Sequence, residues 1–159
     1  MMWLNCMTPA IELLKKQNVP HDVLSYQHDA NTTRYGQEAV EKLNLNSEQV
    51  FKTLVLETNE GQLIVAITPV SQQVNLKQLA KLSHAKKVAM ASAPKVQAAT
   101  GYILGGVSPL GQKKRLTTFI HSSAMAFKTV YVSAGKRGLE VALSPTDLKA
   151  QTRATYGDF

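Results

Sequence analysis

The chain has 159 residues, 44% of them hydrophobic and 18% charged, which suits one soluble globular domain with a core of its own. Its net charge of +7 and isoelectric point near 9.6 favour nucleic acid or a phosphorylated ligand as partner over a neutral one. No apolar run approaches the ~18 residues of a membrane span. The single cysteine, Cys6, excludes an internal disulfide framework and a cysteine-based metal site, and suits a reducing, cytoplasmic setting.

Residues 1–6 are expected to be a disordered extension, because Met7-Thr8-Pro9 reads as a more natural beginning. They lack the basic start of a signal peptide, so Trp3 and Cys6 receive no functional weight. Residues 7–159 are expected to form a single domain.

Thr8 as N-cap and Pro9 at the first helical position predict a helix through about Gln17, with Ala10, Ile11, Leu13 and Leu14 facing the core. Val23 to Tyr26 reads as a short strand and Gln27 to Thr33 as a polar loop. Tyr35, Ala39, Val40 and Leu43 recur at helical spacing. Val50–Glu57 and Gln62–Thr68 are β-rich runs around Thr58-Asn59-Glu60-Gly61, a hairpin signal. Asn75 caps a helix over Leu76, Leu79, Ala80 and Leu82. A strand at Lys87–Met90 and a helix over Pro94–Ala99, stopped by Gly101, follow. Leu116–Ile120, Thr129–Ser133 and Leu139–Leu143 complete the strands, and Ser144-Pro145-Thr146-Asp147 opens a last helix. Strands and helices mix without regular alternation. The predicted class is α+β, with a curved, mostly antiparallel or mixed sheet flanked by helices.

The charges are segregated. From Gly61 to Leu139 there is no Asp or Glu, while Lys and Arg are frequent, so this segment is purely cationic and predicts a polyanion partner. Within it, Gly105-Gly106-Val107-Ser108-Pro109-Leu110-Gly111-Gln112-Lys113-Lys114-Arg115 joins glycines, a loop proline and a basic triplet. Such a loop can bring backbone N–H groups close to an oxyanion or phosphate. For a bare Gly-Gly pair, tight turns explain the glycines at least as well, and neither GxxxxGK[ST] nor GxGxxG is met. Lys113, Lys114, Arg115, Lys136 and Arg137 can contact phosphates or form a solvated charged face.

Lys52 lies mid-strand among apolar neighbours, sharing a face with Leu54 and Leu56 by strict alternation, with Phe51, Thr53 and Val55 opposite. A lysine there lines a pocket or protects a sheet edge, and the pattern leaves both open. Ser133 and Glu140 stand at the strand ends of a predicted hairpin and can face a pocket. His21, His28, His84 and His121 are dispersed with no metal-binding spacing, and there is no GxSxG elbow. No metal, no cofactor and no nucleophilic triad are expected.

Several segments together resemble one family. They are Met7-Thr8-Pro9, Tyr26-Gln27-His28-Asp29, Val50-Phe51-Lys52-Thr53-Leu54, Ala66-Ile67-Thr68-Pro69, Gly101-Tyr102 with the glycine loop, and Tyr131–Leu139. They are similar to YbaK/EbsC-type aminoacyl-tRNA deacylases, free-standing relatives of the editing domain inserted in bacterial prolyl-tRNA synthetases. The resemblance runs from Met7 to about Leu148. It implies a barrel-like sheet and removal of cysteine from mischarged Cys-tRNA(Pro). It also implies a ternary arrangement with tRNA and prolyl-tRNA synthetase. In the family's proposed mechanism the substrate thiol attacks its own ester carbonyl and leaves as a cyclic thiolactone. The resemblance assigns catalysis to Lys52, Gly105 and Gly106. It places Tyr26, Tyr35, Thr53, Ser133 and Glu140 around the substrate; Ser108 and Pro109 of the glycine loop are expected there too, and Lys113, Lys114, Arg115, Lys136 and Arg137 are expected near tRNA from their charge. Tyr35 stands where Phe is expected and Glu140 where Asp is expected. Two other readings stay open: a deacylase of another small aminoacyl-tRNA such as Ala-tRNA(Pro), and a non-catalytic tRNA- or nucleotide-binding module.

Overall fold

The computed structural model describes residues 7–159. The expected disordered extension, with Trp3 and Cys6, lies outside the described residues. In chain order the elements are α1 (Pro9–Lys16), β1 (Asp22–Ser25), α2 (Tyr35–Leu43), β2 (Phe51–Thr58), β3 (Leu63–Pro69), α3 (Leu76–Leu82), β4 (Val88–Met90), α4 (Ala93–Thr100), β5 (Thr117–His121), a 3-10 turn (Ser122–Ala126), β6 (Val130–Lys136), β7 (Leu139–Leu143), α5 (Pro145–Thr152) and β8 (Thr155–Gly157).

Three of the five helix starts follow from their capping residues. The Thr8, Asn75 and Ser144 side chains accept the N–H of Ile11, Gln78 and Asp147, each satisfying a donor that the first helical turn leaves free. Gly101 ends α4 in the left-handed region at φ 80°.

Two sheets form, with strand orders β1-β7-β6 and β4-β2-β3-β5-β8. The pairs β1–β7, β2–β3, β2–β4 and β6–β7 are antiparallel, whereas β3–β5 and β5–β8 are parallel. The α+β class with a mixed sheet is therefore what the chain adopts. The barrel-like detail is not: among the described residues neither sheet closes, and the two are stitched by the single bridge Val50–Tyr131.

The five-stranded sheet is buried on both faces. Val55, Val65, Ile67 and Ile120 enter one core with α1, α4, α5 and the three-stranded sheet. Their neighbours Leu56, Ile64, Ala66 and Phe119 enter a second core with Leu79 and Ala80 of α3 and with Phe159. Burial on both faces explains why β3 reads as the unbroken apolar run Leu63-Ile64-Val65-Ala66-Ile67.

Candidate functional site

The bridge between the sheets creates the site. On its side away from β3, strand β2 meets β6 at Val50 and begins its β4 ladder only at Leu56, after the Ala91 N–H reaches the Val55 carbonyl at 3.0 Å. Phe51 to Leu54 have no ladder partner on that side, and a cavity of about 470 Å³ opens there. All five residues from Val50 to Leu54 line it. Strict face alternation thus does not separate Lys52 from Thr53: the cavity wraps a gap in the sheet instead of lying on one face.

Val70 after β3 and four other segments complete the wall. Tyr26 follows β1, and its N–H donates to the Gly138 carbonyl at 2.9 Å. Tyr35 opens α2. Leu104, Gly105 and Val107 belong to the α4–β5 loop. Ser133 on β6 and Glu140 on β7 are directly paired across the hairpin, so both reach the cavity from one rung. Of the residues assigned to substrate or catalysis, the fold gathers Tyr26, Tyr35, Lys52, Thr53, Gly105, Ser133 and Glu140 around this one space.

Three are placed elsewhere. Gly106 is buried behind the wall, and its N–H donates to Ile103 O at 3.0 Å. Ser108 is fully buried and its Oγ accepts the Leu110 N–H at 3.2 Å. Pro109 lines a different cavity. The glycine loop therefore makes a tight turn and also touches the cavity, since Gly105 lies at φ +93° with its amide unpaired among the described residues.

The cavity concentrates polar groups that lack partners. Lys52 is half-buried, its side chain makes no hydrogen bond or ion pair among the described residues, and burial lowers its pKa. The Thr53 hydroxyl is buried without a partner among the described residues. Glu140 is 7% exposed, makes no ion pair among the described residues, and burial raises its pKa to about 8. Burial, and then the Glu140 carboxyl, push Tyr26 up to about 12. Folded chains rarely leave so many polar groups unsatisfied in one place, and a concave site lined mainly by apolar residues with a few converging polar groups is what a ligand pocket looks like.

Arg137 is the residue whose place the sequence did not signal. Its guanidinium lies 4.6 Å from the centroid of the Tyr35 ring, and Nη2 donates to Asp29 O at 2.9 Å and Thr32 O at 3.3 Å. It holds the 27–34 loop beside the cavity mouth. Glu38 does the same from α2, accepting the Asp29 N–H at 2.6 Å. A Cβ added to Gly105 would sit 2.9 Å from Arg137 Cδ and 3.1 Å from Tyr35 Cζ, so this glycine is what lets the loop pass under the clasp. Lys113, Lys114, Arg115 and Lys136 remain exposed. No group of three or more His, Cys, Asp or Glu that could hold a metal occurs among the described residues, and no helix there is long and apolar enough to cross a membrane.

Comparison with known proteins gives the chain's family. The aminoacyl-tRNA editing domain family matches residues 30–150. EbsC of Enterococcus faecalis, provisionally named a Cys-tRNA(Pro)/Cys-tRNA(Cys) deacylase, is 35% identical over 95% of this chain and 92% of its own. YwhH of Bacillus subtilis, which is uncharacterised, is 24% identical over 82% of the chain and 81% of its own. Among solved structures, one described provisionally as a trans-editing enzyme for prolyl-tRNA synthetase superimposes with a TM-score of 0.83 at 20% identity, covering 94% of this chain and 93% of that one, which speaks to the fold. The chain, with a cavity at the junction of its two sheets, belongs to the aminoacyl-tRNA editing domain family.

Proposed function

We propose that the chain removes cysteine from mischarged Cys-tRNA(Pro), acting on the tRNA in trans and in company with prolyl-tRNA synthetase. The observation that carries this reading is the cavity where Lys52, Thr53, Gly105, Ser133 and Glu140 meet, with no cysteine or histidine in its lining and no metal cluster among the described residues. A substrate that brings its own nucleophile fits such a site. A thiol is a few per cent ionised at neutral pH and intrinsically very nucleophilic. Held against its own ester, it acts at an effective concentration on the order of 10⁵ M or more, as well-oriented intramolecular groups do.

The substrate sulfur attacks the ester carbonyl, the C–O bond to the terminal ribose breaks, and the amino acid leaves as a thiolactone. The thiol proton ends on the ribose hydroxyl. Lys52, a cation on the open edge of β2 with no ion pair among the described residues, holds the terminal adenosine through its phosphate or ribose. The Gly105 amide donates to the developing oxyanion; a donor of this kind is worth about 10²–10³ in rate. Gly106 supports it by closing the turn onto Ile103 O. Product analysis tests the chemistry. Single-turnover reaction of Cys-tRNA(Pro) is expected to release cysteine thiolactone before free cysteine. Free cysteine as the first product would show attack by water.

A second reading is favoured by one observation. Glu140, buried in the cavity with a pKa raised to about 8, is mostly protonated at neutral pH, and its ionised fraction, which grows as pH rises toward 8, is a base able to take a proton from water. Such a base would serve deacylation of Ala-tRNA(Pro), which has no thiol. Its signature is loss of alanine release in Glu140→Gln with cysteine release retained.

A further inference from the structure

We infer that a second cavity, sharing no lining residue with the first, is a docking site for the phosphate backbone of a base-paired RNA stem; this rests on the reading of the first cavity as a tRNA-directed site. It has a volume of about 520 Å³ and lies between the C-terminal end of α1 (Leu13, Gln17), the C-terminal end of α5 (Ala150–Arg153) and the loop from Pro109 to Leu116. Lys113, Lys114, Arg115 and Arg153 line it, and no Asp or Glu does.

The four cations are uncompensated. Among the described residues the ion pairs are Lys42–Glu38 and Lys95–Glu57, neither of which involves this cavity. The plainer explanation is that the cations only neutralise the ends of the helices. Two helix C-termini do point here, but each carries only about −0.5 charge, which against four full positive charges leaves an excess of roughly +3. That excess is a site for anionic oxygens, and its extent across three segments suits several phosphates in a row instead of one.

The cations are also held in position. The Lys113 and Lys114 amides donate to the Thr100 and Ala99 carbonyls at 3.0 and 2.9 Å, so their backbone is pinned to the end of α4. The Gln112 side-chain amide donates to Ser108 O at 3.0 Å. Arg153 is fixed at φ 54° as the cap of α5. Side chains launched from a fixed backbone need less ordering when they meet a phosphate run. One loop serves both places: Gly105 and Val107 wall the first cavity, and Gly111 to Leu116 wall the second. A stem seated on the second cavity would lie at a fixed distance from the site that takes its terminal residue. Arg153, far along the chain from the basic triplet, completes the cluster through the fold alone.

The test is binding of an unacylated RNA hairpin with a base-paired stem of acceptor-stem length, monitored by fluorescence anisotropy over a range of salt. Because no ester is present, the result is independent of whether the chain deacylates anything. Combined Lys113→Gln, Lys114→Gln, Arg115→Gln and Arg153→Gln is expected to weaken binding at least 10-fold at low salt. It should also flatten the dependence of log K on log salt by roughly 0.9 for each phosphate no longer neutralised. Circular dichroism checks that the variant is folded, and Arg153→Gln alone, expected to cost a measurable part of the affinity, guards against failure of the multiple variant. The control is Lys86→Gln with Lys87→Gln, exposed lysines outside the cavity. Equal weakening by the control pair, unchanged binding in the cavity variant, or competition by inorganic phosphate as effective as by the hairpin would each overturn the assignment.

Discussion

Lys52 and Glu140 line the first cavity with shifted pKa values and with no ion pair among the described residues, and they set most of what can be measured at single residues. Glu140 makes stability depend on pH. Its carboxyl titrates at 4.5 when unfolded and about 8 when folded, so the folded chain binds the extra proton. That contribution is fully present below pH 4.5 and declines as pH rises toward 8, with a slope of at most about 1.4 kcal/mol per pH unit. Glu140→Gln should remove this slope, which urea unfolding at a series of pH values reads directly. Gly105→Ala is expected to destabilise by about 1 kcal/mol or more, because it places a side chain at φ +93° and drives a methyl into Arg137 and Tyr35. Activity should fall further than stability does, since the same methyl disturbs the cavity wall. A stable, fully active variant would contradict the role of this glycine. The sequence carried Lys52, Gly105, Ser133 and Glu140 as pocket candidates because chemistry-bearing residues in strands and glycine turns stand out. Arg137 stood out only as a phosphate contact or part of a solvated face, not as a clasp on the 27–34 loop. A cation in a Gly-Lys-Arg-Gly turn reads as solvent-facing, and its acceptors, the Asp29 and Thr32 carbonyls, lie more than a hundred positions away in sequence.

Elements were legible where local chemistry defines their ends. Thr8, Asn75, Ser144 and Gly101 mark helix boundaries by side-chain capping or a left-handed stop, and the structure uses each of them so. The strand β8 was not read, because Thr155–Gly157 is three residues long and exists only by pairing in parallel with Phe119–His121. The parallel β3–β5 pairing and the Val50–Tyr131 bridge were hidden for the same reason: they are long-range choices with no local signal. The gap in β2 that creates the cavity follows from those choices. The Arg137 clasp gives a prediction at this scale. Arg137→Ala removes a cation–π interaction and two hydrogen bonds to carbonyls, and should free the 27–34 loop at a cost of about 1–3 kcal/mol. Hydrogen exchange is expected to speed up around Asp29 and Thr32 while α1 and β3 stay protected. Gly111→Ala tests another joint. Its Cβ would lie 2.6 Å from the Pro9 carbonyl oxygen at φ +66°, so backbone must move, and unfolding temperature should fall sharply.

At the scale of the molecule, the cations in and around the acid-free span from Gly61 to Leu139 are divided by the fold. Lys52 and the glycine turn face the first cavity, Lys113, Lys114 and Arg115 the second, and Arg137 turns inward. Net charge alone therefore overstates the number of cations available to RNA. The α+β class and the general polyanion preference were legible because they depend on composition and element order. The division of labour among the cations was not, because it depends on which loops the two sheets bring together.

In the proposed function, the first cavity deacylates Cys-tRNA(Pro) through the substrate's own thiol while Lys52 holds the substrate. The most direct measurement compares hydrolysis of Cys-tRNA(Pro) and Ala-tRNA(Pro) by the wild-type chain and by Lys52→Ala, with circular dichroism confirming that the variant is folded. Cysteine release well above alanine release in the wild type, and abolished in the variant, is the predicted result. Equal release of both amino acids, or full cysteine release by folded Lys52→Ala, would contradict it.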